Sequence, residues 1–167
     1  MQLPDAEQLL TLLIDKIRPD ITGNTVIVGI HTGGAWLARR IHQALKIVHP
    51  LGVLDISFYR DDYSKIGLHP QVRPSQLPFE AENSHIILVD DVLYTGRTIR
   101  AAVNELFDYG RPGSIHLAVL VDRGGRELPI AARYTGAVLS LPKNSMLELR
   151  QAEDGKLSLD LRSVVIE

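Results

Sequence analysis

The chain contains no cysteine among its 167 residues. Disulfides, thiolate nucleophiles and cysteine-held zinc sites are therefore excluded. Neither sign of charge is in excess: 18 Lys and Arg face 20 Asp and Glu, for a net charge of −2. Bulk charge thus gives no pointer to nucleic acid. No stretch approaches the roughly 20 apolar residues of a membrane span. The opening residues Met1-Gln2-Leu3-Pro4-Asp5 lack the basic and apolar segments of a secretion leader. The six histidines show no metal-ligand spacing, and internal repeats, low-complexity tracts and interdomain linkers are missing. A soluble, cytoplasmic protein with no membrane partner is expected.

What is present suits a globular fold. Apolar residues make up 45% and charged residues 23% of a length that fits one domain over residues 1–167 with a full core. Asp5 can cap a first helix running to about Ile17, with Leu9, Leu10, Leu13, Ile14 and Ile17 on one face. Thr25 to Ile30 is a continuous apolar run, as in a strand buried on both faces. His31-Thr32-Gly33-Gly34 reads as a tight loop, Ala35 to about Ile47 as a helix, and Leu51 to Tyr59 as a strand. Residues 60–80 are polar and then punctuated by Gly67, Pro70, Pro74 and Pro78, the texture of a lid or an oligomer arm. A strand at 85–89, a helix at 97–109 stopped by Gly110, and a strand from Ile115 to Val121 follow. Short strands near 136–141, 146–150 and 156–161 are expected to finish the sheet, in a small C-terminal strand region. Strands alternating with helices predict an α/β fold, a doubly wound and mostly parallel sheet with helices on both faces.

Ligands of such sheets bind at the carboxyl ends of the strands. Four polar or glycine-rich segments fall there: 31–34, 60–65, 90–98 and 122–127. The most informative is Val89-Asp90-Asp91-Val92-Leu93-Tyr94-Thr95-Gly96-Arg97-Thr98. Two adjacent carboxylates repel, so their place after a buried strand calls for a cation, hydroxyl donors or solvent. Gly96 can adopt positive φ, and the N–H groups of 94–98 can converge on an anion where a helix begins. Thr95 and Thr98 add hydroxyls, and Arg97 adds charge. A sugar phosphate fits this order, with its hydroxyls on the carboxylates and its phosphate on the N–H groups.

That stretch resembles the phosphoribosyl-diphosphate (PRPP) signature of the type I phosphoribosyltransferases. Leu117 to Ile130, with Val121-Asp122-Arg123-Gly124-Gly125-Arg126-Glu127-Leu128-Pro129 at its centre, is similar to the pyrimidine-operon regulators and uracil phosphoribosyltransferases of the PyrR family. Tyr59-Arg60-Asp61-Asp62 matches that family too, and the likeness covers roughly residues 25–136. The resemblance implies transfer of the 5-phosphoribosyl group from PRPP to uracil, giving UMP and pyrophosphate. It implies that Asp90 and Asp91 bind the ribose hydroxyls and that Tyr94, Thr95, Gly96, Arg97 and Thr98 form the 5′-phosphate loop. Thr32, Gly33 and Gly34 would hold pyrophosphate, Arg60 would meet it from the base of the lid, and Val121, Asp122 and Arg123 would border uracil. Mg²⁺ would be held mainly by PRPP and water, with no direct protein ligand, and a homodimer or larger homo-oligomer is implied.

The chain also departs from the family. Relatives often carry Arg in the pyrophosphate loop where this sequence has Gly33. RNA-binding members follow the strand near 136 with a basic Gly-Lys-Asn-type segment, and here the residues are Gly136-Ala137-Val138. The remaining cations, Arg39, Arg40, Lys46, Arg111, Arg133, Lys143 and Arg150, are scattered. Phosphate contacts dominate RNA affinity, so RNA is the lesser expectation as a partner. A UMP-sensing RNA-binding regulator is the alternative to the enzyme, and transfer to another base is the second. Purine-specific members place lysine near the base, where this chain has Asp122.

Overall fold

The computed structural model describes residues 1–56 and 75–165. Helix α1, Ala6–Ile17, starts as its sequence dictates: the Gln8 N–H donates to Asp5 Oδ1 at 3.0 Å. Its buried stripe is Leu9, Leu10, Leu13 and Ile17. A single 3₁₀ turn, Arg18–Asp20, leads to β1, Thr25–Ile30, which is buried at every position. Helix α2 is Gly33–Leu45. It begins two residues before Ala35, so the expected loop glycines are its first turn. It also ends before Ile47, because Lys46 takes a left-handed conformation (φ 51°).

Strand β2 is only Gly52–Leu54. The remainder of the expected 51–59 strand includes residues 57–59, which lie outside the described residues, as do Arg60 and most of the expected lid. The end of that lid segment is instead anchored. Gln76 and Val53 exchange backbone hydrogen bonds of 2.8 Å, and Leu77 and Phe79 pack on the core. Strand β3, His85–Leu93, helix α3, Arg97–Phe107, and strand β4, Ser114–Asp122, follow. Strands β5, Tyr134–Val138, β6, Ser145–Gln151, and β7, Leu157–Ser163, complete the described chain.

Five strands form a parallel sheet in the order β2-β1-β3-β4-β5. Helices α1 and α2 cover one face through Ile27, Ile87, Val89, Ala118 and Leu120. Helix α3 covers the other through Val26, Val28, Ile86, Leu88 and Val119. Burial on both faces is why these strands read as unbroken apolar runs rather than alternating ones. Burying each such Ile or Leu contributes about 1.5–3 kcal/mol. The 123–133 crossover from β4 to β5 contains no helix and forms an extended strap.

Only β5 of the three C-terminal strands joins the main sheet. Strands β6 and β7 pair with each other in a separate antiparallel ribbon. Their pattern explains the departure: Leu147 and Leu149 are buried while Met146 and Arg150 are exposed. A strand with one apolar face suits a ribbon laid on the core, not a sheet covered twice. Glu7 fastens that ribbon. Its carboxylate accepts from the Leu157 N–H at 2.9 Å and from the Arg40 guanidinium at 2.6 and 3.2 Å, joining α1, α2 and β7.

Candidate active site

The sheet grows outward from β1 in both directions, with β2 on one side and β3 on the other. A crevice opens at such a switch point, at the carboxyl ends of the strands. The loop after β1 and the loop after β3 meet there, and the strap after β4 lies beside them.

Strand β3 does not stop at Val89. It continues to Leu93, with Asp90 opposite Val119 and Val92 opposite Val121. The two carboxylates therefore lie within the strand, where successive side chains point to opposite faces. Asp90, only 6% exposed, faces the α3 side. There it lines a cavity of about 250 Å³ with Val92, Leu93, Tyr94, Thr95, Gly96, Thr98 and Ile99. Asp91 faces the α2 side, its carboxylate against the Cα of Gly33. The backbone holds both: Asp90 Oδ1 accepts from Asp91 N at 2.9 Å, and Asp91 Oδ1 from Val92 N at 2.8 Å.

The segment after β3 is a turn shaped by Gly96, at φ 93°, which serves as the N-cap of α3 without a side chain. The first N–H groups of a helix have no intrahelical partners and attract anions. Here they open on the Asp90 cavity. Thr95 Oγ1 accepts from Arg97 N at 3.2 Å. The Arg97 side chain reaches Glu127 at 3.0 Å, both half exposed, so its charge is partly matched from the strap.

Thr32 is the N-cap of α2, and the His31–Thr32 peptide is cis. The Thr32 carbonyl accepts from the N–H groups of Ala35 and Trp36 at 3.2 and 3.4 Å. Gly34 lies close against β3: a methyl group there would stand 2.5 Å from the Val89 carbonyl oxygen. The structure thus brings Thr32, Gly33 and Gly34 beside Asp91, and Tyr94 to Thr98 beside Asp90. Arg60, expected to join them, lies outside the described residues.

The three residues expected at the base fall into different surroundings. The Val121 side chain is fully buried in the core beneath α1 and α2. Arg123 is turned inward. Its guanidinium lies 4.2 Å from the Tyr94 ring centroid and donates to the Ser145 carbonyl at 2.8 Å and the Pro142 carbonyl at 3.1 Å. The Asp122 carboxylate, one fifth exposed, accepts from Arg126 at 2.6 Å and from the Gly124 N–H at 2.9 Å. Burial pushes its carboxyl up, but hydrogen bonds from Arg126 and the Gly124 N–H outweigh that and hold it below the usual aspartate range.

The strap is laced to the phosphate turn. Arg123 N donates to the Leu93 carbonyl, and the Glu127 and Leu128 N–H groups donate to the Thr95 carbonyl, at 2.9–3.2 Å. Arg126, to which the sequence reading gave no role, is the side chain that spans both. Its spacing of four from Asp122 was the available signal, but an extended strap brings such a pair together only by turning at Gly124 and Gly125, both at positive φ. Among the described residues no three His, Asp or Glu side chains gather around a point where a metal ion could sit. The oxygen donors at hand are the carboxylates of Asp90 and Asp91, hard ligands suited to Mg²⁺ in company with substrate oxygens and water.

The phosphoribosyl transferase domain family matches residues 2–140. A protein of Nitrosococcus oceani named bifunctional protein PyrR is 54% identical over 143 residues, 84% of this chain and 81% of that one. Its namesake in Pseudomonas syringae pv. tomato is 47% identical over 168 residues, 98% of each. Among solved structures, a hypoxanthine-guanine phosphoribosyltransferase of Bacillus anthracis superposes with a TM-score of 0.67 at 18% identity, over 84% of this chain and 85% of that one. A purine phosphoribosyltransferase of Pyrococcus horikoshii gives 0.62 at 25% identity, covering 80% and 81%.

Proposed function

This chain belongs to the phosphoribosyl transferase domain family, with the PyrR proteins among its relatives, and we propose that it transfers the phosphoribosyl group of PRPP to uracil. The products are UMP and pyrophosphate. One observation carries the reading. Asp90 shares a cavity with the turn that begins α3, while Asp91 lies against the loop that begins α2. A ribose set between them has its 5′-phosphate on one side and its leaving diphosphate on the other.

In this assignment the N–H groups of the α3 first turn, with Thr95 and Thr98, hold the 5′-phosphate. Asp90 and Asp91 accept from the ribose hydroxyls. Thr32, Gly33 and Gly34 face the diphosphate, and Arg60 is assigned to it by family likeness alone. Mg²⁺, bound with PRPP, supplies charge neutralisation for the leaving diphosphate. The C1–O bond breaks toward an oxocarbenium-like state as a uracil ring nitrogen forms its bond to C1. The protein's share is to align the reactants and exclude water. Formation of UMP from uracil, PRPP and Mg²⁺ tests this, with hypoxanthine, guanine and orotate run in parallel. Turnover of uracil alone is expected, and tight PRPP binding without turnover of any base would refute the enzyme.

A second reading is supported by the word bifunctional in the relatives' names. A UMP-responsive RNA-binding regulator would need cations for phosphate contacts. Of the seven scattered candidates, Arg40, Arg133 and Arg150 are already paired with Glu7, Asp20 and Asp160. RNA retention titrated with salt, with and without UMP, decides this role. Cytoplasmic residence accords with it and with a chain whose described helices are too short or too polar to cross a membrane.

A further inference from the structure

Arg126 makes hydrogen bonds to four residues from a side chain that is only 24% exposed. Nη2 donates to Asp122 Oδ2 at 2.6 Å. Nη1 donates to the Tyr94 carbonyl at 2.9 Å and, more weakly, to the Gly124 carbonyl at 3.4 Å. Nε donates to the Ile130 carbonyl at 2.7 Å. One planar fork thus ties the exit of β4, the phosphate turn and the far end of the strap together. The other Asp122 oxygen accepts from Gly124 N at 2.9 Å, so the carboxylate is fixed in rotation as well as position.

Of the three residues assigned to the uracil side, Asp122 is the one whose side chain is a carboxylate, and it is one fifth exposed. Val121 is buried, and Arg123 is turned to Pro142, Ser145 and the Tyr94 ring. A carboxylate oxygen has two lone pairs. With one used by Arg126 or by Gly124 N, each Asp122 oxygen can still accept from a ring N–H. We propose that Arg126 is a positioning residue: it holds the Asp122 carboxylate for the uracil ring, with the Tyr94 and Ile130 carbonyls fixing its own fork, while the phosphate turn is held to the strap independently by the Glu127 and Leu128 N–H groups. The proposal rests on the uracil assignment above and adds a residue with no contact to substrate. The fork shape matters, because a lysine ammonium can meet Asp122 but cannot also reach the carbonyls of Tyr94 and Ile130 in one plane.

The test compares UMP, which carries the base, with ribose 5-phosphate, which does not. Calorimetric affinities of both are measured for the full chain, Arg126→Gln and Arg126→Lys, alongside steady-state KM for uracil and PRPP. Losing a charge-assisted hydrogen bond should weaken UMP and raise the uracil KM by about tenfold in Arg126→Gln. Ribose 5-phosphate affinity and the PRPP KM should stay within about twofold, since base-side contacts are not made by either ligand. Arg126→Lys should recover part of the UMP loss and leave about threefold, because it keeps a charge at Asp122 but not the fork. Should Arg126→Gln fail to fold, a UMP loss of about threefold in Arg126→Lys, with ribose 5-phosphate unchanged, supports the proposal. Equal losses for both ligands in either variant would overturn it, as would unchanged UMP affinity. Wild-type protein that makes no UMP would refute the proposed reaction, while the ratio of UMP to ribose 5-phosphate affinity still decides the role of Arg126.

Discussion

Gly33 and Gly34 sit side by side at the start of α2, and a methyl group on each would meet a different kind of neighbour. At Gly34 it meets backbone, the Val89 carbonyl oxygen at 2.5 Å and the Asp90 Cα at 3.0 Å, which cannot step aside. At Gly33 it meets the Asp91 carboxylate, whose Cγ would be 2.9 Å away and which can rotate. Gly34→Ala is therefore expected to lower stability by about 1–3 kcal/mol, read from urea unfolding. Gly33→Ala should leave the unfolding midpoint nearly unchanged and lower kcat/KM for PRPP by about tenfold, because the carboxylate is turned from its place. A double variant, Asp90→Asn with Asp91→Asn, should abolish PRPP use with circular dichroism unchanged, and full activity in it would remove both from the ribose. That the Asp pair, the glycine turn and two threonines lie together was legible, since one ten-residue stretch contains them. Their arrangement was not. Adjacent carboxylates look like the end of a strand, whereas the hydrogen-bond ladder to β4 runs on through them to Leu93 and sends them to opposite faces.

At the scale of elements, the long apolar runs announced β1, β3 and β4 because both sheet faces are covered. The C-terminal strands were legible as strands, and their partners were not. Pairing depends on which apolar surface is left uncovered, and that is a property of the folded core. The ribbon of β6 and β7 is held at its turn by Glu7, so it should respond to that one residue. The Arg40 hydrogen bond, then the Leu157 N–H, hold the Glu7 carboxyl below its usual 4.5. A carboxylate depressed in the fold contributes stability that is present above its unfolded pKa and fades as pH falls through the folded value. Glu7→Gln should cost about 1 kcal/mol at pH 7, with the difference from wild type shrinking below pH 4. Amide exchange should rise first at Leu157 to Leu159. Exchange that rises equally in β3 would show that Glu7 serves the whole fold instead.

For the molecule as a whole, the two ends of the sheet are chemically unlike. The carboxyl ends carry the site. Near the amino ends, His85 and His116 pack edge to face, 4.6 Å between centroids, and His85 bonds the Ser114 hydroxyl. Asp20 sits nearby, bonded by the Tyr134 hydroxyl and paired with Arg133. Burial first, and then the Arg133 charge for His85 and the His85 and Arg133 charges for His116, press both imidazoles below their ordinary 6.5. The unfolded chain then binds more protons than the folded one below that pH, so stability should decline as pH falls from 7 toward 5. His116→Phe should flatten that decline in thermal melts, and an unchanged slope would exclude the pair as its source. Assembly belongs to this scale too. Light scattering is expected to give at least twice the 18.5 kDa chain mass, and a monomer at micromolar concentration would contradict the homo-oligomer reading.

The chain has one tryptophan, Trp36, and the fold puts it on the first turn of α2, its backbone N–H donating to the Thr32 carbonyl. The molecule therefore carries a built-in fluorophore at the loop assigned to pyrophosphate, with no other indole to dilute its signal. Emission excited at the red edge of protein absorbance would follow the first turn of α2, where the indole packs partly buried against the core. The order in which the two products leave could then be timed by stopped-flow without attaching a dye.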